Sequence, residues 1–487
     1  MSQIITTGYS DLAKKEGLNK TKVERPVVCV QGLGFVGMVM AIATAYSKNN
    51  HGSPVYNVIG VELPTAYGLE RIAQINNGRL PLNTGDRFIL EAFEDTLNGG
   101  NLFATTNHQA YSSADFIIVD VGLNLTCQDG RPVVDYSPFV EAIKTIGANC
   151  KEGALIVVET TVPPGTCEKI VVPELRKELF KRSIPADNVY IAHSYERVMP
   201  GADYLNSLIN YWRVYAGTTT TAADKCEEFL SNIINTKDYP LTRLHSTTAS
   251  ETAKVLENAY RATNIAFIEE WGRFAEAVGI DLLEVISAIR IRPTHSNIRQ
   301  PGFGVGGYCL TKDPLFGLYA AHNLFNLSEL DFPFSQMAVE TNRVMPLVTA
   351  DKLRQLFNGN LAGKKVLLLG ISYRQDIGDT RNTPAEIFVR ALQEENLIFE
   401  CHDPYLADWP EMKMNILTKL PDPPFYDAIV LAVPHKEYSF INYGSWLKGA
   451  LHTAIIDANN VLTVEQRKQI RALGNRIISI GRGVGLE

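Results

Sequence analysis

The sequence is short of the features that mark several protein classes. Its seven cysteines, at positions 29, 127, 150, 167, 226, 309 and 401, are odd in number and scattered, with no C-x-x-C pair. Such spacing argues against a disulfide framework or a zinc site and leaves each cysteine as a core residue or a nucleophile. The nine histidines show no metal-ligand spacing either, so no metal is expected. Long apolar runs are missing: the longest nearly apolar stretch, Val36 to Tyr46, falls far short of the ~20 residues that span a bilayer. Positive charge is not in excess, since 46 Lys plus Arg face 53 Asp plus Glu for a net charge of −7. No global basic field exists to hold nucleic acid or an anionic membrane, and an anionic ligand must be bound by a local site. Residues 1–25 mix Lys14, Lys15, Lys20 and Lys22 with acidic and polar side chains and lack the apolar core of a secretory signal. A cytoplasmic protein is expected.

What is present is ordinary globular sequence, 45% hydrophobic and 20% charged over 487 residues, enough for about three domains at roughly 150 residues each. Pro26 to Gln31 reads as a buried strand and Val36 to Ser47 as a helix packed on it. Further strands are expected at Tyr56 to Val61, Asp115 to Val121, Ala154 to Val158 and Val189 to Ala192, with a turn-rich loop from Gly122 to Asp135 and a helix near Glu168 to Lys181. This alternation predicts a parallel, doubly wound sheet. Helical periodicity then runs from Thr247 to Val278, where Gly279 stops it, and Asp281 caps a helix reaching Ile289. A third alternating region places strands at Lys365 to Leu369, Ile398 to His402, Asp427 to Val433 and Thr453 to Asp457, with a helix from Pro384 to Glu395. The fold class is therefore α/β: two Rossmann-like, doubly wound domains joined by a long central helix and a helical middle domain. The expected boundaries are a polar leader at 1–25, a first Rossmann domain at 26–235, a central helical and dimerisation domain at 236–345, and a second Rossmann-like domain at 346–487.

Three groups of residues carry chemistry. Gly32, Gly34 and Gly37 form G-x-G-x-x-G after a strand and at the start of a helix, where bare backbone allows close approach of a pyrophosphate, and Phe35 and Val36 are expected to bind the cofactor with them. Glu62, at the end of the next strand, is placed to bind ribose hydroxyls and repel a 2′-phosphate, which favours NAD over NADP; a plain solvent-facing acid fits the same position. In the loop Pro301 to Asp313, Cys309 follows four glycines and precedes Lys312 and Asp313. A thiolate whose pKa is lowered by Lys312 and backbone N–H groups is one reading, and a passive phosphate-binding loop is the other. Lys254 and Asn258, four apart on the long helix, share one face that can stabilise an oxyanion, or that simply faces solvent.

Together these segments resemble the UDP-glucose/GDP-mannose dehydrogenase family. The matching segments are Gly32 to Gly37 with Glu62, Thr160 to Thr166, Glu196 to Gly201, Lys254 with Asn258, Gly306 to Asp313 and Gly378 to Pro384. The resemblance implies NAD bound by the first domain and the UDP part of a nucleotide sugar by the last. It also implies oxidation of the sugar's C6 alcohol to a carboxylate, through a thiohemiacetal and a thioester on Cys309. Lys254 and Asn258 then stabilise oxyanions, Asp313 assists proton transfer, and Glu196 with Thr126 positions the hydrolytic water. Thr161, Lys312 and Arg381 match positions near the cofactor. Arg197, Phe303, Gly306 and Arg374, with Lys254 and Asn258, match the substrate side. A homodimer or higher oligomer and a role in polysaccharide precursor synthesis are implied as well.

Departures from the family pattern fall on the sugar side. His295 stands where many members carry an arginine that reaches the substrate across the dimer, with Arg292 and Arg299 nearby as stand-ins, and Asn459 replaces another substrate arginine. The segments at Glu196 and Pro301 resemble the UDP-N-acetylhexosamine branch, whereas Lys312 before Asp313 resembles the UDP-glucose branch. The expectation leans to an N-acetylated hexosamine, with UDP-glucose as the alternative. Two other classes compete: a two-electron hydroxyacid dehydrogenase, which has no need of Cys309, and a non-catalytic nucleotide-sugar sensor, which has no use for a nucleophile.

Overall fold

The computed structural model describes residues 8–18, 23–201 and 203–483. The chain divides into two compact units, residues 1–256 with 316–331, and residues 257–315 with 332–487.

In the first unit an eight-stranded sheet runs in the order β10-β9-β8-β7-β4-β1-β2-β3. The strands are β1 (Val27–Gln31), β2 (Asn57–Val61), β3 (Leu102–Thr105), β4 (Phe116–Val119), β7 (Leu155–Val158), β8 (Tyr190–His193), β9 (Val214–Gly217) and β10 (Thr242–Arg243), with a separate two-stranded sheet formed by β5 (Asn124–Gln128) and β6 (Arg131–Asp135). β1 shows why the strands read as continuous apolar runs. Val28 and Val30 enter one core with Met38 and Ile42 of the helix Phe35–Tyr46, while Val27 and Cys29 enter a second core on the opposite face. A parallel sheet covered on both faces leaves no polar side to alternate with. Two strands depart from the parallel expectation: β9 pairs antiparallel with β8, and β10, parallel to β9, runs with it.

Two further expectations need correction. The stretch 122–135 is not a plain loop but the hairpin β5–β6. Its turn residues Asp129 and Gly130 both have positive φ, 50° and 76°, the Asp-Gly turn whose twist suits two-stranded ribbons. Nor is the leader wholly polar surface, since the helix Tyr9–Lys15 buries Tyr9, Leu12 and Ala13, with the Tyr9 ring 5.1 Å from that of Phe103. The rest of the leader, residues 1–7 and 19–22, lies outside the described residues.

The helix Thr247–Val278 matches its expected bounds, and the side chain of Asp281 caps the next helix by accepting from the Leu283 N–H at 2.9 Å. The second unit also contains a helix not anticipated, Pro333–Leu356, with Pro346 inside it. Its sheet is parallel throughout, in the order β12-β11-β15-β16-β17. These are β11 (Lys365–Leu369), β12 (Ile398–His402), β15 (Ala428–Leu431), β16 (Ala454–Asp457) and β17 (Ile477–Ser479), and a two-stranded ribbon of β13 (Asp408–Trp409) and β14 (Met414–Asn415) follows β12. Among the described residues no helix is long and apolar enough to cross a membrane.

Candidate active site

The first sheet reverses its strand order at β1, which has β2 on one side and β4 on the other, and such a reversal opens a crevice at the carboxyl ends of the strands. The turn after β1 is built by its glycines, each for a different reason. Gly32 has φ 89°, and a Cβ there would stand 2.6 Å from the Asp120 carbonyl oxygen; at Gly37 a Cβ would stand 1.9 Å from the Gly32 carbonyl oxygen. These two glycines let the helix start directly behind the strand. At Gly34 a Cβ would meet nothing within 4 Å, so the fold itself does not demand glycine there. Bare backbone beside the helix N-terminus is the cradle a pyrophosphate needs, and the residues present fit NAD.

Phe35 and Val36 form the first helical residues and are half-buried; the Tyr204 hydroxyl donates to the Phe35 carbonyl at 2.7 Å. Glu62 follows β2. Its carboxylate accepts from the Leu33 N–H at 3.0 Å and from Arg71 at 3.1 Å, so it is fixed against the glycine turn and shared with a guanidinium. Thr161, past the end of β7, is half-buried.

The ends of β4, β7 and β8 carry a buried polar cluster. The Lys254 ammonium donates to the Glu196 carbonyl oxygen at 2.7 Å, lies 3.7 Å from the Glu196 carboxylate and stands 5.3 Å from the centre of the Tyr195 ring. Lys254 is 8% exposed, which sets aside the solvated-face reading of this lysine. Arg197 turns back to donate to the Trp212 carbonyl and, at 3.0 Å, to the Tyr195 hydroxyl. Three members of the cluster carry no signal in the sequence: Asp120, Glu159 and Arg213. Arg213 pairs with Glu159, and both are buried. Burial, reinforced by the Glu196 carboxylate and opposed by Arg213, pushes the Asp120 carboxyl well above its ordinary range. Burial, with Lys254 adding to it, pulls His193 down to about 3, so this imidazole is neutral. Thr126 stands exposed on the hairpin, opposite Val133.

In the second unit, Asp313 is 1% exposed and takes donors on both oxygens, the Asn258 amide at 2.9 Å on one and the Lys312 ammonium at 2.6 Å on the other. Asn258 is therefore also buried rather than solvent-facing. Cys309 is exposed, and its carbonyl oxygen accepts the N–H groups of Lys312 at 3.2 Å and Asp313 at 2.9 Å, so the thiol and the carboxylate belong to one tight turn. The glycines before it are packing glycines rather than a flexible tether. A Cβ at Gly306 would lie 2.6 Å from the Asn382 carbonyl oxygen, and one at Gly307, where φ is 82°, would lie 2.7 Å from the Tyr373 ring. Arg381 accepts the Gly307 N–H on its carbonyl oxygen at 3.1 Å and aims its guanidinium at Asp379, 2.7 Å away.

At the carboxyl ends of β11 and β15 lies a cavity of about 270 Å³ lined by Phe303, Gly304, Ser372, Tyr373, Arg374, Gln375, Val433 and Asn459. It unites three substrate-side residues of the sequence reading: Phe303, buried against Phe388 with ring centres 5.4 Å apart, exposed Arg374, and Asn459, which donates to the Ala432 carbonyl at 3.0 Å. Arg292, His295 and Arg299 are not in this cavity; all three are exposed beyond the helix Leu282–Arg290. Ser372, Tyr373 and Gln375 had no signal of their own beyond their neighbour Arg374.

Comparison with known proteins agrees with this arrangement. A UDP-N-acetyl-D-mannosamine dehydrogenase of Methanocaldococcus jannaschii is 29% identical over 91% of this chain and 96% of its own length. A protein of the same description from Campylobacter jejuni is 30% identical over 84% of this chain and 96% of its own. The solved structure of a UDP-D-ManNAc dehydrogenase from Pyrococcus horikoshii superposes with a TM-score of 0.79 at 28% identity, covering 94% of this chain and 99% of that one. Residues 27–235, 248–344 and 367–464 match, in turn, the NAD binding, central and UDP binding domains of one family. With the glycine turn, the cysteine loop and the second Rossmann-like sheet in those three segments, the chain belongs to the UDP-glucose/GDP-mannose dehydrogenase family.

Proposed function

We propose that this NAD-dependent enzyme oxidises the C6 alcohol of a UDP-N-acetylhexosamine to the carboxylate, in the cytoplasm, as a step toward a polysaccharide precursor. UDP-N-acetyl-D-mannosamine is the first substrate to test, because the similar proteins carry that name. The observation that carries the four-electron course is the Cys309 turn, in which an exposed cysteine accepts on its carbonyl oxygen the backbone N–H of Asp313, whose side chain is buried.

NAD, when bound, supplies the two-electron acceptor, used twice per sugar. The first oxidation leaves an aldehyde at C6. Cys309 Sγ adds to that carbon, giving a thiohemiacetal; the second oxidation gives a thioester, and water cleaves it, returning the thiol. One alcohol, one water and two NAD+ thus become a carboxylate, two NADH and three protons. Lys254 and Asn258 serve as preorganised donors to the successive oxyanions. Asp313, its oxygens already held by Asn258 and Lys312, receives and returns protons, and Glu196 with Thr126 orients the water. Glu62, Thr161, Lys312 and Arg381 act on the cofactor side, and Arg197, Phe303, Gly306 and Arg374 on the substrate side.

The enzyme acts as a homodimer or larger assembly. Tyr260, Phe267, Trp271 and Phe274 are each about half exposed along the long helix, a spacing that puts them on one stripe for a second copy to cover. Arg292, His295 and Arg299 are exposed in the single chain, which leaves them open to a neighbouring subunit's substrate.

The test is the yield of NADH per UDP-sugar. Wild type should give two, and Cys309→Ala should form no carboxylate. One NADH per turnover, or a fully active alanine variant, would return the protein to the two-electron class.

A further inference from the structure

Two buried side chains outside the reacting groups lie behind the cavity at the end of β11. Asp403, which follows β12, is 0% exposed, and His435, beyond the end of β15, is 1% exposed. One carboxylate oxygen of Asp403 accepts the Ile371 N–H at 2.9 Å, the Ser372 N–H at 3.0 Å, the Ser372 hydroxyl at 2.9 Å and His435 Nε2 at 3.2 Å. Its other oxygen accepts the Tyr405 N–H at 3.0 Å. Burial works to raise this carboxyl, yet the His435 contact and the backbone donors outweigh it and hold Asp403 below the usual carboxylate range. His435 Nδ1 in turn accepts the Asp376 N–H at 2.9 Å.

Those partners assign the tautomer. A nitrogen that accepts a backbone N–H carries no proton, so the proton is on Nε2, aimed at Asp403. The same assignment speaks against the cluster Asp376, His435 and Glu437 as a metal centre, although its ligand atoms lie within 4.8 Å of one another: Nε2 carries the proton, and the lone pair of Nδ1 is already taken by the Asp376 N–H.

The loop between these anchors supplies Ser372, Tyr373, Arg374 and Gln375 to the cavity wall. Asp403 holds its start, His435 holds its end at Asp376, and the two holders are bonded to each other. The end needs holding, because Asp376 has φ 58°, a left-handed conformation that a non-glycine residue adopts only at a cost.

We propose that Asp403 and His435 form a positioning pair that sets the nucleotide-sugar loop 371–376 and, through it, the binding of the UDP moiety. This rests on the reading of the cavity as the UDP-sugar seat. The bond from the Asp376 N–H to Nδ1 and the bond from Nε2 to Asp403 tie the loop's end to its start through one ring. Asp376 places a carboxylate oxygen 3.8 Å from Nδ1, while the same oxygen accepts the Lys436 N–H at 3.0 Å. The Lys436 ammonium lies 3.4 Å from the other oxygen of Asp376. Glu437 lies on the same side, and the rings of Tyr405 and Tyr438 lie 5.1 and 5.6 Å from the imidazole. Loss of the acceptor at Nδ1 leaves the Asp376 N–H without its partner, and the loop end moves.

The experiment is calorimetry of UDP and of NAD on the full chain at one fixed pH. Wild type, His435→Ala, His435→Asn and His435→Gln are compared; the Asn carbonyl oxygen stands near the place of Nδ1 and can accept the Asp376 N–H, whereas the Gln side chain offers no acceptor there. The alanine variant should bind UDP roughly tenfold or more weakly with NAD affinity unchanged; the asparagine variant should recover most of that loss and the glutamine variant should not. Equal UDP affinity in wild type and His435→Ala, or an asparagine variant no better than the glutamine one, overturns the positioning role. If the alanine variant does not fold, the comparison of His435→Asn with His435→Gln decides. Wild type that fails to bind UDP overturns the reading of the cavity, and the proposal with it.

Discussion

The two Rossmann-like sheets end their first strand in the same way and then diverge. Gly32 and Gly370 both have φ 89°, and their N–H groups donate at 2.9 Å to the ends of the neighbouring strands, at Val61 and His402. Each turn is braced by a carboxylate from the end of that second strand, Glu62 on the Leu33 N–H and Asp403 on the N–H groups of Ile371 and Ser372. After that the first turn enters its helix at once, at Phe35, whereas the second runs on to Pro384 before its helix begins. The first design leaves a helix N-terminus bare for a pyrophosphate. The second fills that place with loop side chains, and its carboxylate is wholly buried and committed to the loop, where Glu62 stays near the surface with Arg71 beside it. One architecture thus presents bare backbone at the end of one first strand and loop side chains at the end of the other.

Breaking each first turn separately tests this division. Gly37→Ala should have the largest effect, because its Cβ would stand 1.9 Å from a backbone oxygen that cannot step aside. A cost of about 3 kcal/mol is expected, with NAD affinity down by roughly a hundredfold and UDP binding preserved. Gly370→Ala is the mirror experiment and a milder one. Its strain is a positive φ and a Cβ 2.5 Å from the Val433 side chain, about 1–3 kcal/mol, and it should weaken UDP while sparing NAD. Calorimetric titration of both ligands on both variants reads the result; a glycine variant that impairs the two ligands equally would mean that the turns are coupled rather than dedicated.

These turns were legible to different degrees, and the reason is physical. G-x-G-x-x-G reports backbone needs within six consecutive residues, so Gly32 and Gly37 announce themselves. The i, i+4 spacing of Lys254 and Asn258 gave their shared face but not its burial, which comes from chain segments far away in sequence. Asp403 and His435 act together only because β12 and β15 flank β11 in the folded sheet, and no local pattern encodes that. The helix Pro333–Leu356 escaped because Pro346 reads as a breaker. The hairpin at 124–135 escaped although its Asp129-Gly130 turn was in view, because β5 has no buried face and the buried face of β6 is only Pro132 and Val134, too short a run to mark the period.

Glu62 sharpens the comparison on its specificity side. Replacing it with Gln removes the charge that repels a 2′-phosphate and leaves the Arg71 guanidinium beside the ribose site, so the preference for NAD over NADP should narrow by about tenfold, or ~1.4 kcal/mol. The measurement is kcat/KM with each cofactor at saturating UDP-sugar. An unchanged ratio would assign Glu62 to bracing the turn through Leu33 and nothing more.

Gly34→Ala is expected to perturb the fold least and to separate ligand from fold most cleanly. Gly32 and Gly37 are required by neighbouring backbone, but nothing lies within 4 Å of a Cβ at position 34, and Gly34 itself has a negative φ of −67°. The alanine variant should therefore unfold within about 0.5 kcal/mol of wild type, as substitutions in open space do. A methyl group there nevertheless occupies the approach of the pyrophosphate to the helix N-terminus, so NAD affinity should still fall several-fold, with UDP affinity untouched. Thermal unfolding and NAD titration on the same sample give the two halves of the answer. A variant as stable as wild type that binds NAD equally well would show that the cofactor does not come within a methyl group of this turn, and the bare-backbone account of the first sheet would have to be given up.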